Sequence, residues 1–182
     1  MEMTIDDALR CKYNTTFFFE NFFPVWALWR DGNRIEGLRA KREQAKIFAE
    51  YDSGRNITGW SFGRQRGTTT ALQVIALKEI LCGRDVAYAG YRMDASKEFE
   101  RHITGRIIPE IGETDMVILT SVMSPASHLG KIIPTTPTSM NLRGRTLGML
   151  LIDNTAHQSA AATQKMLHDI YPALATRRDK GS

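Results

Sequence analysis

Cysteine is nearly absent from this 182-residue chain: Cys11 and Cys82 stand far apart, and no CxxC pair occurs. The four histidines, His102, His128, His157 and His168, are scattered without zinc-ligand spacing. A disulfide framework is therefore excluded, a structural zinc is not indicated, and reduced thiols in a cytosol-like compartment are the expectation. Long hydrophobic runs are also missing. The aromatic runs Phe17–Phe19 and Phe22–Leu28 are separated by Glu20 and Asn21, and a bilayer span needs roughly 20 apolar residues. The first residues carry Glu2, Asp6 and Asp7 where a secretory leader carries basic ones. Membrane-spanning and secreted classes are set aside on these grounds. No internal repeat or low-complexity tract is present.

What is there fits a folded globular domain: 42% hydrophobic and 24% charged residues over a length suited to one domain with its own core. Lysine and arginine exceed aspartate and glutamate by 24 to 20, a formal net charge of +4. That balance is compatible with a polyanionic partner such as DNA without specifying one.

Residues 1–35 are rich in aromatics, from Tyr13 and Phe17 to Trp26 and Trp29. They read as one or two short helices interrupted at Pro24, an arm whose aromatic stripe packs as core on the body, residues 36–182. In the body, Leu38–Tyr51 has helical spacing, and Asn56–Phe62 is a short apolar segment before the polar turn Gly63–Gly67. Thr68–Leu81 reads as a helix ended by Gly83. Val86–Tyr91, Asp115–Val122, Lys131–Thr136 and Leu147–Ile152 read as strands. Asp94 is placed to cap a helix over Ala95–Ile108 that stops before Pro109. A last helix covers about Ala160–Leu174. Strands alternating with helices predict an α/β fold with a parallel sheet, in which ligands lie beyond the carboxyl ends of the strands. Gly63 and Asp153 both follow such ends.

The segment Gly63-Arg64-Gln65-Arg66-Gly67-Thr68-Thr69-Thr70 lies between a strand and a helix. Phosphate-binding loops of the form GxxxxGK[ST] occupy such a position, their backbone amides around the phosphates and their hydroxyl on Mg²⁺. Gly67 and Thr69 fit that form; Phe62 and Thr68 replace its first glycine and its lysine. Capping of a helix by Gly-Thr-Thr-Thr is the plainer reading of the same residues.

The stretch resembles the divergent Walker A loop of phage large terminases, the ATPases of DNA-packaging motors. Lys41-Arg42-Glu43-Gln44 stands where that family has its adenine-reading glutamine, and Arg34-Ile35-Glu36-Gly37-Leu38 is similar to the segment before it. Downstream, Leu142-Arg143-Gly144-Arg145 and Leu147–Asp153 resemble the family's Arg-Gly segment and Walker B strand, and Tyr171–Arg178 the element that follows. The order agrees from about Arg34 to Arg178.

The resemblance implies a P-loop NTPase-like parallel sheet flanked by helices. ATP would lie with its adenine near Gln44 and its phosphates over Gly63, Gln65, Gly67, Thr68, Thr69 and Thr70. Mg²⁺ would sit between Thr69 and Asp153. It further implies double-stranded DNA and packaging-motor proteins as partners, a homo-oligomer, no membrane, and the cytoplasm of an infected bacterial host as location.

Three departures accompany it. Thr68 brings no charge to the phosphates, a task that would pass to Arg64 or Arg66. Asn154 stands where the family has its catalytic glutamate, and an amide orients water without taking its proton. The family's sheet also has a strand between its Walker A and Walker B strands that this sequence does not reach by Ser182. The two strands would then pair directly, receive a strand from another chain, or belong to a longer protein. These departures support an alternative: a non-hydrolysing P-loop relative acting as a DNA- or protein-binding regulatory module. Asp94, Glu98 and Glu100 read as a solvated helix face, and no GxSxG elbow or Cys-His pair suggests a nucleophilic hydrolase.

Overall fold

A computed structural model describes residues 3–24, 39–54, 67–124, 128–137, 142, 145–153, 161, 164–165 and 167–168. The expected strand Asn56–Phe62, the turn from Gly63 to Arg66 and Asn154 lie outside them, as does most of the last expected helix, whose described positions are helical.

The chain begins with α1 (Ile5–Tyr13) and α2 (Thr15–Asn21). Thr4 caps α1 by accepting from the Asp7 amide at 3.1 Å, and the Asp7 carboxylate accepts from the Thr4 amide in return. The break between the two helices falls at Asn14, not at Pro24. Asn14 takes an extended conformation, closes α1 through its amide to Arg10 O, and caps α2 by accepting from the Phe17 amide at 2.8 Å. Part of the aromatic stripe is core: Phe18, Phe19 and Phe23 are buried, with Phe19 5.5 Å from the ring of Phe48, whereas Tyr13 is exposed and Trp26 and Trp29 lie outside the described residues. Each buried ring of this kind contributes on the order of 2 kcal/mol.

Helix α3 (Arg42–Asp52) leads to α4 (Thr68–Leu81), whose bounds match the sequence reading. From Ala71 to Leu81 every residue of α4 except Gln73 is buried, so it is the central helix of the core. Strand β1 (Val86–Ala89) follows, and α5 (Met93–His102) runs on through a π-helical turn, residues 103–107, into the short α6 (Ile108–Ile111). The helix therefore does not stop before Pro109, and it starts at Met93 with Asp94 inside its first turn. In the π turn Ile108 N–H donates to Ile103 O, five residues back, a register that accommodates a proline one residue on.

The segment Asp115–Val122, expected as a strand, lies within helix α7 (Glu113–Met123). Its β-branched residues suit a strand, but Met116, Leu119 and Met123 are the buried ones, at helical spacing, and the helix packs on α1. Met3 N donates to the Asp115 carboxylate and Lys12 Nζ to Val122 O across that contact. Tertiary burial has overridden local propensity.

Among the described residues, strands β2 (Ile132–Thr135) and β3 (Met149–Ile152) form with β1 a three-stranded parallel sheet in the order β2-β1-β3. Val86 is in register with Ile132 on one side and Met149 on the other, and Ala89 with Thr135 and Ile152. Alternation divides the faces: Val86, Tyr88, Ile132 and Leu151 join the main core with α4, while Ala87, Ala89 and Ile133 meet Leu142 and Leu147 on the reverse. At the amino edge, Gly130 N donates to Ile80 O, and a side chain at Gly130 would run into the Arg84 carbonyl. The molecule is α/β, as the sequence predicts. Among the described residues, no helix is long and apolar enough to cross a membrane.

Candidate functional site

All three strands point their carboxyl ends the same way, and α4 begins beside that edge. Gly67 precedes α4 with φ 78° and ψ 25°, a left-handed conformation natural to glycine alone. Having no side chain, it leaves the first amides of the helix uncapped by its own residue. A Cβ here would lie 2.5 Å from Gln44 Nε2. Gln44, on α3 and 4% exposed, donates from Nε2 to Gly67 O at 3.1 Å and accepts at Oε1 from the Lys41 amide at 3.0 Å. Gly67→Ala is expected to destabilise the protein by about 1–2 kcal/mol from the backbone alone, and to displace Gln44 as well. Urea unfolding reads this directly; unchanged stability would show that the glycine geometry is dispensable.

Asp153 follows β3 and extends its ladder by donating its amide to Ala89 O at 3.0 Å. The residue is 7% exposed. Its Oδ2 accepts from the Thr69 hydroxyl at 3.0 Å and from the Tyr88 hydroxyl at 2.8 Å. The first turn of α4 and the ends of two strands are thereby joined at one carboxylate oxygen. Tyr88 is held by stacking on Phe99 of α5, ring centroids 3.6 Å apart and nearly parallel. Burial, reinforced by the adjacent Asp153 carboxylate, raises the Tyr88 phenol above its usual range, so it stays a proton donor. Ser96, also buried, ties α5 to the same edge by accepting from Gly90 N and donating to Thr135 O.

These groups border a cleft of about 310 Å³ lined by Thr69, Gln73, Tyr88, Gly90, Tyr91, Ala95, Glu98, Phe99, His102 and Asp153. Burial and the nearby Arg106 lower the His102 imidazole below its ordinary value, while Glu98, one turn back, opposes them. Among the described residues that line it there is no lysine or arginine.

Of the residues singled out in the sequence, Thr69 and Asp153 are brought into contact. Gln44 meets Gly67 and does not line the cleft, and Thr68 and Thr70 flank Thr69 in the first turn. Gly63, Arg64, Gln65, Arg66 and Asn154 lie outside the described residues. Sequence reasoning missed Gln73, Tyr88, Glu98 and His102. For the last two a signal existed: they flank the buried Phe99 at a spacing of four, which puts both on one face of α5.

Hard oxygen donors at this edge suit Mg²⁺, which usually takes one or two protein ligands and keeps its waters and the phosphates of its substrate. Thr69 and Asp153 are such a pair. Among the described residues no cluster of three His, Cys, Asp or Glu side chains forms an all-protein metal cage. No protein-family model, curated protein or solved structure matches the chain.

Proposed function

We propose that the chain is a terminase-like nucleotide-binding domain of the P-loop kind, associated with viral DNA packaging and binding Mg-ATP at the carboxyl edge of its sheet. The observation that carries this reading is the Thr69–Asp153 hydrogen bond. It joins the hydroxyl of a Gly-Thr-Thr-Thr helix start to an aspartate that ends a parallel strand, residues far apart in sequence. A hydroxyl and a carboxylate so placed, next to the first amides of a helix, supply the metal and phosphate contacts that a nucleoside triphosphate needs. Thr69 and Asp153 would hold Mg²⁺, which when bound neutralises phosphate charge. Gly67 and the amides of Thr68–Thr70 would face the phosphates, with Gln44 fixing the loop end and Arg64 or Arg66 adding the charge that Thr68 lacks.

Calorimetry of Mg-ATP with the wild-type protein and Thr69→Ala tests this. Micromolar binding that weakens at least about tenfold in the variant is the expected result, a loss of about 1.4 kcal/mol. Absence of any heat with the wild type would overturn the reading.

Thr68 in place of the family's lysine and Asn154 in place of its glutamate favour one second reading, a relative that serves as a DNA- or protein-binding regulatory module. Its signature would be DNA binding that falls steeply with salt, without nucleotide turnover.

A further inference from the structure

The cleft holds two carboxylates with different surroundings. Asp153 is nearly buried and its Oδ2 already accepts two hydroxyl hydrogen bonds. Glu98 lines the same cleft, is exposed, and makes no hydrogen bond or ion pair among the described residues. Asp94, its neighbour on α5, pairs instead with Arg92, away from the cleft lining. The position of Glu98 is well supported: Phe99 beside it is clamped against Tyr88, and Ser96 bolts the helix to the ends of β1 and β2. Directly after His102 the helix passes into its π turn, a feature that recurs at functional sites.

Asp153 is engaged by two hydroxyls and placed to serve a cation. Glu98 stands on a rigid helix wall where a water in the cleft can meet its carboxylate. We infer that Glu98 is the catalytic base of this cleft, activating water for hydrolysis of the terminal phosphate of a bound nucleoside triphosphate. This rests on the nucleotide-binding reading above. The Glu98 carboxylate takes one proton from a water molecule, whose oxygen forms a bond to the terminal phosphorus. The bond from that phosphorus to the bridging oxygen breaks, and its electron pair leaves on the nucleoside diphosphate. Inorganic phosphate is the second product, and Glu98 returns the proton to solvent. Asn154 need not act as a base in this arrangement.

The test compares full-length wild type with Glu98→Gln and His102→Gln, using Mg-ATP throughout. Three readouts are taken: calorimetric affinity, phosphate release, and chromatography of the nucleotide retained on the protein after incubation. For Glu98→Gln the expectation is unchanged affinity, phosphate release lower by about 100-fold or more, and retained nucleotide that is still the triphosphate. Because Glu98 is exposed and makes no hydrogen bond or ion pair among the described residues, the thermal unfolding of Glu98→Gln should match wild type. Turnover that survives Glu98→Gln, or that is lost only in His102→Gln, overturns the inference and leaves nucleotide binding standing. Wild-type binding without any turnover does the same. No wild-type binding overturns both.

Discussion

Replacing Lys78 with alanine is expected to destabilise the protein by about 3 kcal/mol, the low end of the range for breaking a buried charge pair. Lys78 sits in the middle of α4 and is 2% exposed. Its ammonium donates to Lys12 O at 3.1 Å and Thr15 Oγ1 at 2.8 Å, with Asp52 Oδ1 3.6 Å away and the Tyr51 ring beside it. Thr15 in turn donates both its amide and its hydroxyl to Asp52. One residue on, Glu79 accepts from the Tyr51 hydroxyl and pairs with Arg84. The α1–α2 junction, the end of α3 and the centre of α4 therefore meet in one buried polar cluster. Alanine would leave the Lys12 carbonyl without this donor and Asp52 without its cation, beside a cavity. The Asp52 side chain is 23% exposed, so water relieves part of the loss; that places the effect at the low end.

For a chain of this length, 3 kcal/mol corresponds to a fall in melting temperature of roughly 6–12 °C. Urea unfolding checks it, and a loss below about 1 kcal/mol would show that the cluster contributes little. Lys78→Met keeps the volume and should lose less. Its comparison with wild type also has a definite pH dependence. Burial, only partly offset by Asp52, depresses the Lys78 ammonium below its ordinary value. The unfolded chain then holds more protons than the folded one between the depressed and the ordinary lysine pKa. Wild type should accordingly gain stability relative to Lys78→Met as pH rises toward about 10.4.

Legibility in the sequence followed the range of the physics. Helix α4 was readable to its ends because Gly67 and Gly83 bracket an apolar run, and the three described strands because each is a short apolar segment. Helix α7 was not, since Val117, Ile118, Thr120 and Val122 favour a strand until Met116, Leu119 and Met123 find α1 and the core. The π turn was hidden for a similar reason: Pro109 signals a stop, and only the register shift over 103–107 lets the helix continue. At the site, Thr69 and Asp153 could be named from their loop and strand positions. Tyr88 could not, because its alternating place in β1 marks it as core and its hydroxyl bond to Asp153 spans 65 positions. Glu98 read as solvent-facing, which its exposure supports; what the sequence conceals is that the solvent it faces fills a cleft.

Asp153→Asn separates the two parts that Asp153 plays. The asparagine side-chain carbonyl can still accept from Thr69 and Tyr88, so the junction of α4, β1 and β3 should persist, with stability within about 1 kcal/mol of wild type. The negative charge is gone, however, and with it the favourable interaction with a divalent cation. Mg-ATP affinity should fall by at least about 10- to 100-fold, the loss that disturbing even the groups around a metal's ligands produces, and binding should lose its dependence on Mg²⁺. Calorimetry with and without the metal, alongside urea unfolding, reads both quantities on one preparation. A normal Mg²⁺ dependence in Asp153→Asn would remove the cation from this site and leave Asp153 as a hydrogen-bond hub. An equal loss of stability and affinity would mean that the carboxylate acts through the fold. Asp153→Ala then completes the series: it strips the acceptor as well and orphans the buried Tyr88 hydroxyl, adding about 1–3 kcal/mol of destabilisation that the asparagine variant should not show.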